Sequence, residues 1–373
     1  MRLELLLASL LTFAAASAPA QWQILDAHTT ASLRGVHNVG NGIIWASGTN
    51  GTVLRSIDDG KSWTTCTTPP DAAKLDFRGI QAFDANTAIV MSSGKGDLSR
   101  LYKTTDGCKT WELLFTNPDK DGFFDALVAN QDGGIVVGDP VDRRFAFFAS
   151  TDRALQNWRR FGERSAVNDF RIDFRPNPNE GLYAASNSVL AGDESSHVEI
   201  AAGGEFGGLF YSFSWREHGM GGFPQANSFT SNMKLAKGAT AGAFSFAARQ
   251  DNAKPRERVL IAVGGDYKKP NDSSGTASFT RDGGIHWTSA TTSPHGYRSA
   301  VAYDASTKTW ITVGPNGTDI STDDGRNWRP LKPSASEAPD TDQNWNALSL
   351  PFVVGPHGRI GKLRSDALPS PKP

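Results

Sequence analysis

Short apolar runs alternate with polar residues along most of the chain, and clusters of turn-forming residues separate them. One unit begins with FRGIQAF at 77–83, continues with TAIVMSSG at 87–94, and then leads through a third run into an aspartate motif. A fourth run follows the tryptophan of that motif. Alternation rich in β-branched and aromatic residues predicts strands, whereas Gly, Asn and Asp clusters predict turns. No convincing amphipathic helix pattern accompanies these runs, so we expect an all-β chain.

The aspartate motif recurs with nearly the same letters at 54–63, 102–111, 278–287 and 319–328. Its consensus is Ser/Thr-x-Asp-x-Gly-x-x-Trp, except that Cys108 takes the glycine position in the second copy. A fifth, degenerate copy at 150–158 has one extra residue before its tryptophan. One enzyme rarely needs four copies of an active site, and Asp, Gly and Trp suit turns and packing. The motif therefore predicts structural turns, with structural roles for Asp58, Trp63, Asp106, Trp111, Asp282, Trp287, Asp323 and Trp328.

Motifs that recur about every 40–50 residues indicate a repeat fold in which each unit is one supersecondary element. Four short antiparallel strands per unit are typical of a propeller blade. Seven first strands begin near residues 33, 77, 123, 182, 241, 297 and 345. The last unit stops early, and the segment 22–27 is expected to complete it and close the ring. We therefore predict a seven-bladed β-propeller over 21–364, with an irregular fourth unit and an inserted loop at 214–232.

The two termini have compositions of their own. Residues 1–20 combine Arg2, a short apolar run and the small residues Ala18 and Ala20, which predicts a secretory signal peptide. The apolar run is too short for a membrane anchor, and no later stretch is long enough to span. We therefore expect a periplasmic or secreted protein without stable membrane insertion. Residues 365–373 form a Pro-rich tail.

Charge and composition exclude some partners. The chain has 373 residues and a formal net charge of −1. A nearly neutral chain has no overall attraction to polyphosphate, so no nucleic-acid partner is expected. Its 7 histidines are scattered and lack the spacing of metal ligands. No glycine-rich segment opens a helix as a dinucleotide loop would, so we predict neither a metal nor a cofactor.

The repeated motif resembles the Asp-box of BNR-repeat proteins. In an exported seven-unit propeller, the segments at 51–63, 100–111 and 313–328 make the chain similar to the photosystem II stability/assembly factor family. A more distant resemblance is to the BNR-repeat sialidases. The first resemblance implies a non-enzymatic propeller that binds proteins, and the second implies a sialidase-type glycoside hydrolase. Such motifs are specific for the fold and weak for function.

Side chains at the starts of the first strands are expected to converge on the mouth of the propeller channel, opposite the motif turns. Arg34, Arg78 and Arg298 occupy such positions, and Asp125 does so in the third unit. Guanidinium groups suit a carboxylate or a phosphate, so the mouth is predicted to contact a protein partner or an anionic small ligand. The alternative is a structural rim in which each arginine pairs with a neighbouring aspartate.

Catalysis at the same mouth is the second hypothesis. Sialidases bind a carboxylate with three arginines and use a tyrosine nucleophile, so Asp139 or Asp266 would serve as the acid and Tyr267 as the nucleophile. The FRIP signature of sialidases is missing, and FRGI at 77–80 matches it only in part. The sequence therefore leaves open whether the protein is an enzyme.

Cys66 and Cys108 are the only cysteines, and about one repeat separates them. Equivalent regions of adjacent units lie close together, and an exported chain meets an oxidising compartment. We therefore predict a disulfide between the first and second units on the face of the motif turns. The alternative is a pair of unlinked buried thiols, if the turn and the strand end lie too far apart.

Overall fold

The computed structural model describes residues 21–130, 133–150, 152–160, 176–192, 197–214, 229–250, 258–331 and 340–369. The predicted signal peptide, most of the expected inserted loop and the last four residues of the predicted tail lie outside this part of the chain. The described residues form antiparallel sheets and one short 3-10 helix at Gly96–Leu98. The chain is therefore all-β, as its alternating pattern predicts.

The first strand, β1 (Trp22–Leu25), belongs to the last sheet of the chain. Three four-stranded sheets follow it, each with its strands side by side in sequence order. The first sheet contains β2 (Leu33–Gly40), β3 (Ile43–Gly48), β4 (Val53–Ser56) and β5 (Thr64–Thr65). The second contains β6 (Phe77–Ala82), β7 (Ala88–Ser92), β8 (Arg100–Thr104) and β9 (Glu112–Thr116). The third contains β10 (Phe124–Ala129), β11 (Gly134–Val141), β12 (Arg144–Ser150) and β13 (Arg159–Arg160).

A nine-stranded sheet comes next, in the order β18-β17-β16-β19-β20-β21-β22, with β14 and β15 each paired to β16. Its strands are β14 (Glu180–Gly181), β15 (Leu190–Gly192), β16 (His197–Gly204), β17 (Leu209–Ser214), β18 (Phe229–Asn232), β19 (Ala241–Gln250), β20 (Arg258–Asp266), β21 (Ala277–Thr280) and β22 (Thr288–Ser289). Two four-stranded sheets complete the chain. They contain β23 (Ala300–Asp304), β24 (Thr309–Gly314), β25 (Gly317–Ser321) and β26 (Arg329–Pro330), then β27 (Ala347–Ser349), β28 (Phe352–Val354) and β29 (Ile360–Leu363) with β1.

The N-terminal strand completes the C-terminal sheet. β1 pairs antiparallel with β29, so that Trp22 lies opposite Leu363. Trp22 is buried against Trp345, and its indole N–H donates to the Thr318 hydroxyl at 3.0 Å. Leu368, from the predicted Pro-rich tail, is buried in the same apolar cluster. The two ends of the chain are thus held together by strand pairing, as the unfinished last unit predicts.

The core lies between neighbouring sheets and not within a single layer. Middle strands such as β7 and β24 are buried along their whole length, whereas the outermost strands β5, β22 and β26 are exposed. A strand whose two faces are both covered needs apolar residues at consecutive positions, which explains the continuous run AIVMS in β7. Trp45, Phe77 and Tyr102 form one such core, with residues from the first and second sheets.

The repeated motif forms the same hydrogen-bonded turn in its four complete copies. In the first copy, Gly60 N–H donates to the Ser56 hydroxyl at 2.9 Å, and that hydroxyl donates to Asp58 at 2.8 Å. The backbone N–H of Ser62 also donates to Asp58, at 2.9 Å. The same three bonds recur at 104–110, 280–286 and 321–327. The motif residues therefore satisfy one another locally.

Cys66 and Cys108 are joined by a disulfide, with their Cα atoms 5.3 Å apart. Cys66 follows the outer strand β5 of the first sheet, and Cys108 lies in the second motif turn. The predicted pairing of the two cysteines is confirmed. Cys108 has a φ of +64°, a value close to those of Gly60 and Gly325 at the same motif position. The disulfide thus holds a non-glycine residue in a backbone conformation that favours glycine.

Strand register separates the two ends of each sheet. In the first sheet, Leu33 lies opposite Gly48 at one end, and Ile44 lies opposite Ser56 at the other. The second sheet repeats this arrangement, with Phe77 opposite Ser92 and the motif turn after β8. The starts of β2 and β6 therefore lie at the end of the sheets remote from the motif turns.

Candidate functional site

Two partly exposed arginines share one carboxylate at the starts of the first two sheets. Arg34 and Arg78 are the second residues of β2 and β6, and Asp76 directly precedes β6. Arg78 Nε donates to Asp76 Oδ2 at 2.8 Å, while Arg34 Nε lies 3.9 Å from Asp76 Oδ1. The second distance is too long for a hydrogen bond. The pair therefore has more positive charge than Asp76 neutralises.

The polar atoms between Arg34 and Asp76 are buried without hydrogen-bond partners. These atoms are Arg34 Nε and Asp76 Oδ1. Burial lowers the pKa of Arg34, with Asp76 opposing this shift and the positive charge of Arg78 adding to it. Buried polar groups are normally paired, so unpaired ones indicate strain or a missing partner. This arrangement suits an incoming group that accepts hydrogen bonds.

Two aspartates from the third sheet lie near Arg78: Asp125 is within electrostatic range of it, and Asp139 is within range of Asp125. Asp125, the second residue of β10, is only 1% exposed, and its Oδ2 has no hydrogen-bond partner. Burial raises the pKa of Asp125 well above its ordinary value; nearby Asp139 adds to the shift and Arg78 opposes it. Asp139 accepts a hydrogen bond from the backbone N–H of Leu182 at 3.0 Å, and burial raises its pKa too. Both shifts favour the uncharged carboxyl, so these aspartates neutralise the arginines poorly.

Arg78 also contacts groups outside its own sheet. Its Nη1 donates to the backbone oxygen of Ala184 at 3.3 Å, and its guanidinium lies over the Phe123 ring at 5.9 Å. These contacts fix the side chain between the second, third and nine-stranded sheets. We call Arg34, Asp76, Arg78, Asp125 and Asp139 the arginine–aspartate cluster.

The prediction for Arg298 needs correction. Its side chain is 0% exposed, and its Nε donates to Asp319 Oδ2 at 2.9 Å. Nη1 donates to the backbone oxygen of Tyr297 at 2.9 Å, and Nη2 pairs with the same Asp319 carboxylate. His295 Nδ1 lies 2.9 Å from the other oxygen of Asp319. A guanidinium engaged in this way does not face an external ligand, so two arginines, and not three, are available.

Four aromatic side chains form a second group, which we call the aromatic cluster. Tyr183 stacks on Phe244 with ring centroids 4.0 Å apart. Tyr297 meets the same Phe244 edge-on at 4.7 Å, and Tyr267 does so at 6.1 Å. Burial raises the pKa of Tyr297, Tyr183 adds to the shift, and the positive charge of Arg34 opposes it. Tyr297 thus lies within electrostatic range of the arginine–aspartate cluster.

The candidate catalytic residues divide between these two clusters. Asp139 lies beside Asp125, whereas Asp266 ends β20 and Tyr267 follows it at the aromatic cluster. Asp266 Oδ1 accepts hydrogen bonds from the Thr240 hydroxyl at 2.7 Å and from Lys268 N–H at 3.0 Å. The Thr240 bond contributes most to lowering the pKa of Asp266, so this carboxyl is a poor proton donor at neutral pH.

Neither a protein-family model nor a curated protein sequence matches the chain. Solved structures do match it. A structure titled YCF48 bound to D1 peptide has a TM-score of 0.60 and 14% identity, covering 94% of this chain and 98% of that one. YCF48 from Cyanidioschyzon merolae has a TM-score of 0.59 and 16% identity, covering 92% and 99%. The extracellular domain of a putative one-component system from B. thetaiotaomicron, BT4673, has a TM-score of 0.57 and 11% identity, covering 92% and 40%.

This chain has the β-propeller fold of YCF48. At such low identity the likeness concerns the fold alone. Within the described part of the propeller, no group of three or more His, Cys, Asp or Glu side chains is arranged to hold a metal ion. The same residues include no helix that is long and apolar enough to cross a membrane.

Sequence reasoning missed several residues of the two clusters. Asp76 lies two residues before Arg78, a spacing that places both on one side of an extended segment. That spacing was a usable signal. Tyr183, Phe244 and Tyr297 come from three distant segments of the propeller. No local pattern marks them as neighbours, because the contact between them depends on how the sheets of the propeller are arranged relative to one another.

Proposed function

We propose that the chain is a seven-bladed propeller that binds a protein partner at the channel mouth. Five blades would be the four-stranded sheets. The nine-stranded sheet would supply two more, β15–β18 and β19–β22, because a single residue pair, Gly203 with Gly242, joins these two halves. The motif turns would be Asp-boxes with a purely structural role, since their polar groups bond to one another.

Export is part of the proposal. Residues 1–20 would be removed as a signal peptide, leaving the propeller at 21–364 and a Pro-rich tail at 365–373. The Cys66–Cys108 disulfide supports a periplasmic or secreted location, because such bonds persist in oxidising compartments. The partner would then be another exported or membrane-exposed protein.

One observation carries the binding proposal: Arg34 and Arg78 face a single Asp76, beside two aspartates whose pKa burial raises. The surplus of positive charge suits a carboxylate of a peptide, and guanidinium groups bind carboxylates with directed hydrogen bonds. A structurally similar propeller, YCF48, has been solved with a D1 peptide. We therefore expect a peptide ligand on this scaffold.

Binding of labelled peptides tests the proposal. We expect the acidic peptide GSEAESG to bind the mature protein and its glutamine analogue GSQAQSG to bind much more weakly, as measured by fluorescence anisotropy. Arg34→Ala or Arg78→Ala should each weaken binding by about 1.5–3 kcal/mol, or roughly 10- to 150-fold. Arg329→Ala, at an exposed arginine on the outermost strand β26, is the control and should change nothing. Equal binding of both peptides, or binding unaffected by the arginine substitutions, would reject the proposal.

Glycoside hydrolysis is the second candidate function. It is favoured by Asp125 and Asp139, because two adjacent carboxyls with raised pKa values, one of them near Arg78, resemble the setting of a general acid. Against it stand the burial of Arg298, which leaves no carboxylate-binding triad, and the lowered pKa of Asp266. Release of the fluorophore from a fluorogenic sialoside decides between them. We expect no release above that of an Asp125→Asn/Asp139→Asn variant.

A further inference from the structure

The aromatic cluster has exposed surface that the proposed arginine contact does not use. Tyr267 is 47% exposed although its ring meets Phe244. Tyr297 is only 8% exposed, but its hydroxyl is not among the buried atoms that lack a partner, and no hydrogen bond between described residues uses it, so this oxygen reaches solvent. A phenol hydroxyl at the edge of a ring cluster can donate one hydrogen bond to a ligand. The cluster therefore offers both an apolar ring surface and one free donor.

Two hydroxyl groups beside the rings are already engaged, and the carboxylates of Glu205 and Asp266 lie within electrostatic range of Tyr183. The Tyr183 hydroxyl donates to the backbone oxygen of Ala241 at 3.1 Å, and the Thr240 hydroxyl donates to Asp266 at 2.7 Å. A sugar would need many free hydrogen-bonding groups beside the rings. An aromatic side chain needs ring faces and edges and few polar partners, which is what this cluster presents.

The two clusters adjoin each other. Arg78 Nη1 donates to the backbone oxygen of Ala184 at 3.3 Å, and Ala184 directly follows Tyr183, whose ring stacks on Phe244. The surplus positive charge of Arg34 and Arg78 favours a negatively charged partner and disfavours a basic one. A ligand that combines an acidic group with an aromatic ring therefore suits both clusters.

We infer that the partner is an acidic peptide segment with an aromatic side chain next to its carboxylate. This inference rests on the proposed function and adds the specificity of the same site. The carboxylate contacts Arg34 and Arg78, and the aromatic side chain packs against Tyr267 and Tyr297. The Tyr297 hydroxyl donates a hydrogen bond to the peptide.

Three labelled peptides test the inference by fluorescence anisotropy: GSEWESG, GSEAESG and GSKWKSG. We expect GSEWESG to bind about tenfold more tightly than GSEAESG, the scale of a specific aromatic contact with its buried area. GSKWKSG should not bind measurably. Tyr267→Ala should remove most of the advantage of tryptophan over alanine, as a double-mutant cycle would show. Tyr297→Phe keeps the ring and should weaken GSEWESG by about threefold through loss of one hydrogen bond.

Ile285→Ala is the matched control, because Ile285 is an apolar side chain with 54% exposure in a motif turn. It should leave all affinities unchanged. Equal affinity for GSEWESG and GSEAESG, with both still dependent on Arg78, would overturn the aromatic inference and leave the proposed function standing. No binding of either acidic peptide would overturn both. Displacement of GSEWESG by 3′-sialyllactose, without any effect of Tyr267→Ala, would also overturn the inference.

Discussion

Aspartates at the two ends of the sheets have opposite acid–base character. In the second motif turn, Asp106 accepts hydrogen bonds from the Thr110 hydroxyl at 2.7 Å and from Lys109 N–H and Thr110 N–H at 3.0 Å each. The Thr110 hydroxyl contributes most to lowering the pKa of Asp106 to about 2. At the other end of the sheets, Asp125 is buried with one oxygen unpaired, and its pKa is raised.

This difference separates architecture from candidate function. The donors around Asp106 lie within four residues of it in sequence, so each motif copy stabilises its own charge. Asp125 depends on Asp139 and Arg78, which other strands supply, and it lacks a full set of partners. Perturbed and incompletely paired carboxyls are more common at functional sites than in structural turns. The end of the sheets that contains the arginine–aspartate cluster is thus the stronger candidate for a ligand site.

The largest expected effect concerns the buried ion pair of Arg298 and Asp319, since Arg298 was the third arginine expected at the channel mouth. Asp319→Ala leaves Arg298 buried without its carboxylate, which should lower the free energy of unfolding by about 3–5 kcal/mol in urea titrations. Replacing both partners with apolar residues, as Arg298→Met/Asp319→Leu, should cost less than the single change. Asp26→Ala, at an exposed site, is the control. A loss below 1 kcal/mol for Asp319→Ala would show that Arg298 has access to solvent.

The Cys66–Cys108 disulfide is expected to stabilise the end of the sheets that carries the motif turns. Its cysteines are 42 residues apart, so removing it with Cys66→Ser/Cys108→Ser should cost about 4 kcal/mol by the chain-entropy model. Cys66→Ser/Cys108→Gly should lose about 1 kcal/mol less, because glycine adopts the positive φ of position 108 without strain. Equal unfolding free energies for the two double variants would show that a non-glycine residue is not strained at the positive φ of position 108.

Asp125→Asn tests, through the pH dependence of the unfolding free energy, whether the buried Asp125 carboxyl destabilises the fold when it is ionised. The folded pKa of Asp125 lies above its ordinary 3.8, so the stability it contributes is present below pH 3.8 and is lost as the pH rises through the folded pKa. The variant lacks this loss. We therefore expect its unfolding free energy to exceed that of the natural protein at pH 8, with the difference shrinking toward pH 4. A difference that grows toward pH 4 would mean that the Asp125 carboxylate is stabilised in the fold.

Asp323→Asn should change the unfolding free energy with the opposite pH dependence and by a smaller amount. Hydrogen bonds from Asn327 and Ser321 lower the pKa of Asp323 despite partial burial, so its stabilising effect is present above pH 3.8 and is lost as the pH falls through the folded pKa. The variant should lose about 1 kcal/mol at pH 7, since the carboxylate is largely exposed, and the loss should vanish near pH 2. A pH-independent loss would point to packing and not charge.

Much of the architecture follows from local sequence. The motif turns, the continuous apolar middle strands and the pairing of Cys66 with Cys108 rest on patterns that repeat within one unit or between adjacent units. The positions of Arg34 and Arg78 at strand starts follow from the same repeat. These features were accessible because strand alternation and turn chemistry depend on near neighbours in the chain.

Side-chain environment at the candidate site did not follow from sequence. Arg298 was predicted to share the repeat position of Arg34, but it takes the place of the buried Leu33, one residue earlier: the backbone N–H of Arg298 donates to Gly264 O as that of Leu33 donates to Gly355 O. A shift of one residue turns a side chain to the other face of an extended segment, where Arg298 bonds to Asp319 from the third strand of its own sheet. Asp76 is shared between two sheets, and the rings of Tyr183, Phe244 and Tyr297 meet across distant segments. Burial and charge pairing depend on three-dimensional packing between sheets, which a repeat pattern places only to within a strand and not to within a hydrogen bond.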